Sequence, residues 1–409
     1  MNKIEKLLNE LCPNGVEFKN LWEIGELSNT GVDKKIRENQ KEVFLLNFLD
    51  VMNNHYINKN IPSMKVTASE AEIQKCNILK NDLFITPSSE NINEIGFASV
   101  AIEDMPNVCY SYHIMRFRIF NRQINPYFLR YCFDSENLRK QILKNAQGIT
   151  RFGLTQPKWK NLQIPIPPLE IQEEIVKILD TFTELEAELE AELEARRRQY
   201  EYYRNKLLSF EYLKTNGGGY ELKMLGEICE RQKGINITAG EMEKIAIQNG
   251  DIRIFAGGKT FIDTKMELLQ EQNILKKTSI IVKSRGYVDF EYYAKPFTHK
   301  NELWSYSLNP DTKDINLKFI FYYLKNKVEY FQKIARANAV KIPQLAVADT
   351  DRFQIPIPPL ATQEKIVNIL DQFHALTTDL QSGIPAEIEA RKKQYEYYRN
   401  QLLTFKEAI

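Results

Sequence analysis

The apolar positions along this chain change period several times, and they do so twice in the same order. In residues 2–11 apolar side chains recur at helical spacing, which predicts a short amphipathic helix closed by the turn Pro13-Asn14-Gly15. From about 16 to 160 the pattern is mixed. Short apolar runs at 43–46, 83–86 and 114–119 alternate with Gly, Asn and Pro turns and predict strands. Residues 126–143 predict a helix rich in aromatics. A helical seam then takes over, through Ile178, Phe182, Leu185, Leu189, Leu193, Tyr200, Tyr203 and Leu207, in steps mostly of three and four, opposite a face of Glu, Arg and Lys. After Asn216-Gly-Gly-Gly219 the order repeats. Strands are predicted at 280–282 and 304–308, an aromatic helix at 317–335, and a second seam through Ile369, Phe373, Leu376, Leu380, Ile384, Ile388, Tyr395, Tyr398 and Leu402.

The repetition is one of residues as well as of period. Gln163-Ile-Pro-Ile-Pro-Pro-Leu169 recurs letter for letter from Gln354 to Leu360, and Gln199-Tyr-Glu-Tyr-Tyr-Arg-Asn returns at Gln394. An internal duplication is therefore the first organising fact. Pro-Ile-Pro-Pro fixes φ and lacks amide donors, so an extended entry to each helix is expected. The offset between copies is 191 residues at Gln163/Gln354 but 195 at Gln199/Gln394. Four residues, about one helical turn, are thus added at Gln381-Ser-Gly-Ile-Pro385, where a kink or interruption is expected. At ~1.5 Å per residue, roughly forty residues make a rod of about 60 Å.

Two such helices could each pack on a separate core. Their shared length and seam favour pairing with each other, through Ile178, Phe182, Leu185, Leu189, Leu193 and Leu207 of the first and Ile369, Phe373, Leu376, Leu380, Ile388 and Leu402 of the second. Residues 1–12 look like the tail end of a long helix, so the repeat is cyclic and the chain can close on itself with pseudo-twofold symmetry. The expected fold class is α+β: two similar globular domains alternating with two long helices paired as an antiparallel coiled coil. The expected segments are 1–15 (helix and turn), 16–162 (first domain), 163–212 (central helix), 213–353 (second domain) and 354–409 (C-terminal helix).

Composition narrows the function. The net charge is +1, with the first long helix acidic, so the chain does not hold nucleic acid by charge alone. Five scattered cysteines never form a Cys-x-x-Cys pair, which fits reduced thiols in a cytoplasm better than disulfides or zinc. Neither a signal peptide nor a membrane span is expected. Catalytic motifs are weak. Asn125-Pro126-Tyr127-Phe128 resembles the Asn-Pro-Pro-Tyr/Phe tetrapeptide of adenine methyltransferases, but the second proline and a Gly-rich cofactor loop are missing; Asn as N-cap with Pro at N1 explains it better. Ala256-Gly257-Gly258-Lys259 has the wrong spacing for a P-loop and reads as a hairpin turn. The four histidines lack metal spacing. No catalytic or metal site is assigned.

What remains is a recognition surface. In the first domain the candidates are Thr86, Ser88, Ser89, Tyr110, Tyr112, His113, Arg116, Arg118, Thr150 and Arg151. In the second they are Lys259, Lys283, Ser284, Arg285, Tyr287, Lys300, Asn301, Trp304 and Lys341. They mix cations, hydroxyls, an amide and aromatics on turns, the groups that contact base edges and phosphates.

Two variable domains alternating with two repeated helices, each entered by Ile-Pro-Ile-Pro-Pro-Leu, resemble the specificity (S) subunit of type I restriction-modification systems. The resemblance covers essentially the whole chain. It implies that each variable segment is a target recognition domain reading one half of a split sequence in double-stranded DNA, with the helices as spacer. It also implies two methyltransferase (M) subunits bound to one S subunit, with restriction (R) subunits added for cleavage. S-adenosylmethionine would then lie on M and ATP with Mg on R, leaving this chain without a cofactor.

Overall fold

The computed structural model describes residues 2–337, 339, 341–379 and 382–408. They form two units, Met1–Leu189 with Ile388–Ile409, and Glu190–Glu387.

In the first unit a five-stranded sheet has the order Gly25–Ser28, Met115–Ile119, Leu83–Ile85, Ala98–Ala101, Tyr56–Ile57, antiparallel except for the last pair. A three-stranded sheet places Lys41–Leu46 between Met64–Ala68 and Val108–Tyr110. Leu83, Phe84 and Ile85 are all buried, so this strand is covered on both faces and reads as a continuous apolar run rather than an alternating one. The second unit repeats the topology. Cys229–Lys233, Trp304–Leu308, Ser279–Lys283 and Asp289–Tyr293 form one sheet, and Ile252–Phe255 lies between Phe261–Thr264 and Phe297–His299 in the other. The units differ by insertion. Between the central strand of the small sheet and its antiparallel edge strand the first unit inserts 47–63, which supplies the extra strand Tyr56–Ile57. The second has only the turn 256–260, closed by Ala256 N–H on Thr260 O at 2.9 Å. The Gly-Gly-Lys segment is thus the expected hairpin.

The single aromatic helix expected in each domain is two helices: Pro126–Asp134 and Glu136–Asn145, then Leu317–Asn326 and Val328–Ala337. Ser135 causes the first break. Its hydroxyl accepts from Leu138 N–H and so caps a new helix. The repeated prolines sit in strands. Gln163–Ile166 pairs antiparallel with Glu17–Asn20, and Gln354–Ile357 with Glu221–Met224. Both sheets are two-stranded, so each proline can lie where no ladder donor is needed.

Leu169–Leu207 is one helix of 39 residues. Its first half belongs to the first unit, where Ile171, Ile175 and Leu179 share a core with Ile4, Leu402 and Leu403. Phe182 stacks on Tyr398 with centroids 5.6 Å apart, and Glu186 pairs with Lys392 at 3.3 Å, so the two helices run antiparallel there. Its second half belongs to the second unit, where Tyr203 stacks on Phe373, also at 5.6 Å. Two seam residues depart from expectation. Leu185 and Leu376 are 39% and 37% exposed. After Phe182 and Phe373 the helix takes a step of four, not three, so Glu186 and Thr377 hold the inward positions. Ile178, Phe182, Leu189, Leu193, Ile369 and Phe373 are half-buried, and Leu207, Ile388 and Leu402 buried; Leu380, with Gln381 of the insert, lies outside the described residues.

The C-terminal helical segment is interrupted, as the insert suggests: Leu360–Thr378 ends before Ile384–Leu402 begins. Gly383 packs so closely on the first piece that a Cβ there would lie 2.6 Å from Ala375 O. The cyclic closure is also present. Val16 N–H donates to Lys406 O at 2.8 Å, and Ala408 N–H to Val16 O at 3.0 Å.

Candidate nucleic-acid interface

Each unit ties its sheets to a long helix by the same lock. Asn125 caps its helix by accepting from Tyr127 and Phe128 N–H, and Asn316 does so for Lys318 and Phe319. The backbone N–H of Asn125 donates in turn to Gln172 Oε1 at 2.8 Å, while Gln172 Nε2 donates to Gln123 O (2.9 Å) and Pro167 O (2.6 Å). Gln363 repeats this with Asn316 N–H (2.8 Å), Asp314 O (3.0 Å) and Pro358 O (2.7 Å). Both glutamines are fully buried. About two helical turns on, Asp180 accepts from the Tyr131 and Tyr56 hydroxyls, and Asp371 from Tyr322 Oη (2.5 Å) and Lys318 Nζ (2.7 Å). Burial and the adjacent carboxylates push these phenols far up, so they stay protonated donors.

On this frame three loops converge in each unit. The first leaves the central strand: 86–89 in unit one, 283–287 in unit two. The second is the tight segment before the repeat: 147–153 and 341–345. The third is the turn feeding the neighbouring strand: 111–113 and 300–302. In unit one Ser88 and Ser89 pair antiparallel with Gly153 and Phe152. In unit two Arg285 bridges Gln344, and Gly286 N–H donates to Pro343 O at 2.8 Å. The third loop is fixed from behind by a glycine. Val32 and Ile235 run parallel to Ser111 and Lys300, and a Cβ on the preceding Gly31 or Gly234 would lie 2.2 Å from that backbone.

The structure brings some candidates to this surface and uses others as struts. Ser88, Ser89, His113 and Arg151 line one open cleft of about 500 Å³ with Phe48, Asn91 and Glu94. Arg151 Nε donates to Ser88 Oγ at 3.1 Å, Thr150 beside it is exposed, and Tyr112 is half exposed at the rim. In unit two Arg285, Tyr287, Asn301 and Lys341 are exposed, as is Lys259 on its hairpin. Thr86 is buried and bonds Glu94 O (2.7 Å), and Tyr110 is buried against Ser28 Oγ (3.0 Å). Arg116 donates to Asn77 O (3.0 Å), and Arg118 is held by Asp82 (2.6 Å). Lys283 is buried on Glu291 (2.7 Å), Ser284 bonds Glu302 O (2.5 Å), and Lys300 pairs with Glu302 (3.3 Å). These seven residues are already engaged by groups of their own unit.

Sequence reasoning missed the two glutamines and the two aspartates, although their common offset of 191 was visible. His113, a candidate from the sequence, also lines the cleft. Burial holds its imidazole below the usual value, and the charges of Arg151 and Lys34 add to this, so it faces the cleft neutral at pH 7. Among the described residues no His, Cys, Asp or Glu group could hold a metal ion, and no helix is long and apolar enough to cross a membrane.

Two α+β units of one topology, each presenting three loops from a sheet locked to a long repeated helix, define a duplicated recognition scaffold. Residues 13–195 and 218–390 match the type I restriction modification DNA specificity domain, and the chain belongs to that family. It is 33% identical over 300 residues to the type I restriction enzyme EcoR124I/EcoR124II specificity subunit of Escherichia coli, covering 67% of this chain and 72% of that one. Its fold is similar to the S subunit from M. genitalium (TM-score 0.57, 17% identity, 95% of this chain and 96% of that chain covered) and to the HsdS subunit from Thermoanaerobacter tengcongensis (0.51, 16%, 96% of each).

Proposed function

We propose that unit one reads one half of a bipartite sequence in double-stranded DNA and unit two the other half, while the chain itself performs no chemistry. The paired helices set the gap between the half-sites and dock two methyltransferase (M) subunits, and restriction (R) subunits join through that complex. S-adenosylmethionine belongs to the M subunits, and ATP with Mg to the R subunits. One observation carries this reading: the same three-loop cluster is built twice on one scaffold, with hydroxyls, a tyrosine and an arginine in one copy and Arg285, Tyr287, Asn301 and Lys341 in the other. Shared scaffold with unlike surface is what reading two different half-sites requires. With a net charge of +1, the chain alone binds duplexes weakly, and the M subunits supply the closing contacts.

The test is a length change. Deleting four residues within 184–195 removes about one helical turn, ~5.4 Å, or one to two base pairs at ~3.4 Å each. Long-read methylome sequencing of a host carrying this variant with its M partner should give the same two half-sites with a gap altered by one or two pairs. Altered half-sites with an unchanged gap would refute the ruler.

A further inference from the structure

The duplication offers a way to separate contacts that read sequence from those that do not. Two half-sites share a phosphate backbone and differ in bases. Features kept in both copies are suited to the backbone, and features that change are suited to bases. In the strand-exit loop, Ser88 and Ser89 of unit one occupy the ladder positions that Arg285 and Gly286 hold in unit two. In the turn, Tyr112 is replaced by Asn301. Both loops therefore change chemistry. The tight loop keeps one property, an exposed cation: Arg151 in unit one and Lys341 in unit two, one residue apart in the 191-residue register that the ladder sets. Neither has an ion-pair partner among the described residues. Its frame is kept too, since each loop is zipped to the strand exit by backbone bonds.

The exchange of Arg for Lys tells which role survives. A guanidinium can grip guanine N7 and O6 with two donors, whereas an ammonium is a point charge that cannot present that fork. What the two share is positive charge. In unit one the geometry serves the same end. Gly148 turns at φ +135°, where a Cβ would lie 1.9 Å from Arg151 O, and Nε is occupied by Ser88. The guanidinium is thus held at a fixed place with its terminal nitrogens uncommitted.

We infer that Arg151 and Lys341 are the sequence-independent phosphate contacts of the two units, and that Ser88 and Tyr112 in one and Arg285 and Asn301 in the other meet base edges. This rests on the half-site reading. The experiment uses the chain co-purified with its methyltransferase partner, a fluorescent duplex carrying the motif found by methylome sequencing, and duplexes with one half-site scrambled. Binding is measured from 50 to 200 mM salt. Arg151→Ala and Lys341→Ala should each weaken binding to all duplexes by similar factors. Each should lower the salt slope by about 0.9, so that the ratio of wild-type to variant affinity falls about 3-fold across that range. Arg151→Lys should restore the slope, and the methylated motif should not change. A motif relaxed at one base by Arg151→Ala, or an Arg151→Lys variant that behaves like alanine, would overturn the assignment. A wild-type complex with no preference among duplexes would instead sink the half-site reading, and the salt slopes would still decide the phosphate contacts.

Discussion

Replacing Gln172 tests how the recognition sheet is fastened to the helix. Methionine has similar length and no polar atoms. It would leave Asn125 N–H without its acceptor and Gln123 O and Pro167 O without the amide donor; Gln172 and its bond to Pro167 are buried, the other two bonds part-buried. An orphaned buried donor costs ~1–3 kcal/mol, and two carbonyls that retain other bonding options add less, so Gln172→Met should cost about 2–4 kcal/mol. Glutamate makes a sharper test. It keeps the acceptor for Asn125 N–H but turns a carboxylate oxygen toward Pro167 O, which now lies 2.6 Å from the amide nitrogen. Gln172→Glu should therefore destabilise more than methionine at pH 7 and recover as pH falls, because a protonated carboxyl can donate to that carbonyl. Hydrogen exchange read by mass spectrometry is the assay. Protection should fall in Pro126–Asp134 and in the first half of the long helix, and persist in Leu317–Asn326, whose own lock Gln363 is untouched. If glutamate is tolerated at pH 7 as well as glutamine, or protection falls equally in both units, the lock is not the fastening described.

Two further outcomes follow from packing and charge. Burial, reinforced by the Arg130 charge, lowers the His55 imidazole to about 4. The unfolded chain takes up this proton near pH 6.5 and the folded one does not, so stability is intact above pH 6.5 and falls by about 3 kcal/mol as pH drops toward 4. Urea melts at pH 7 and 4.5 should show His55→Asn reducing that loss; an unchanged pH dependence would refute it. Phe373→Ala removes a half-buried ring stacked on Tyr203 and near Tyr200, and should cost about 2 kcal/mol, below the range for a fully buried Phe. Exchange should rise in 193–207; no change there would argue against the pairing.

The repeat made much of this legible. Identical Gln-Ile-Pro-Ile-Pro-Pro-Leu segments announced the duplication, and apolar runs marked strands that the structure confirms at Leu83–Ile85, Met115–Ile119, Ser279–Lys283 and Trp304–Leu308. Less visible was anything that depends on partners distant in sequence. Leu185 fits the seam by spacing, yet a step of four after Phe182 puts Glu186 inward, where it pairs with Lys392. Arg116, Arg118 and Lys283 are cations on strands, and only tertiary structure shows that carbonyls and carboxylates already hold them. Arg151 is exposed, as its place on a turn suggests, and Ser88 Oγ holds its Nε.

Unit one is assembled from the beginning and the end of the chain, whereas unit two is one uninterrupted stretch. During synthesis the ribosome therefore releases every residue of the second unit before Leu402, Leu403 and Phe405 emerge to cover Ile171, Ile175 and Leu179. The half that is translated first matures last, and until then its apolar helix face stays open to whatever chaperone or neighbouring nascent chain can shield it.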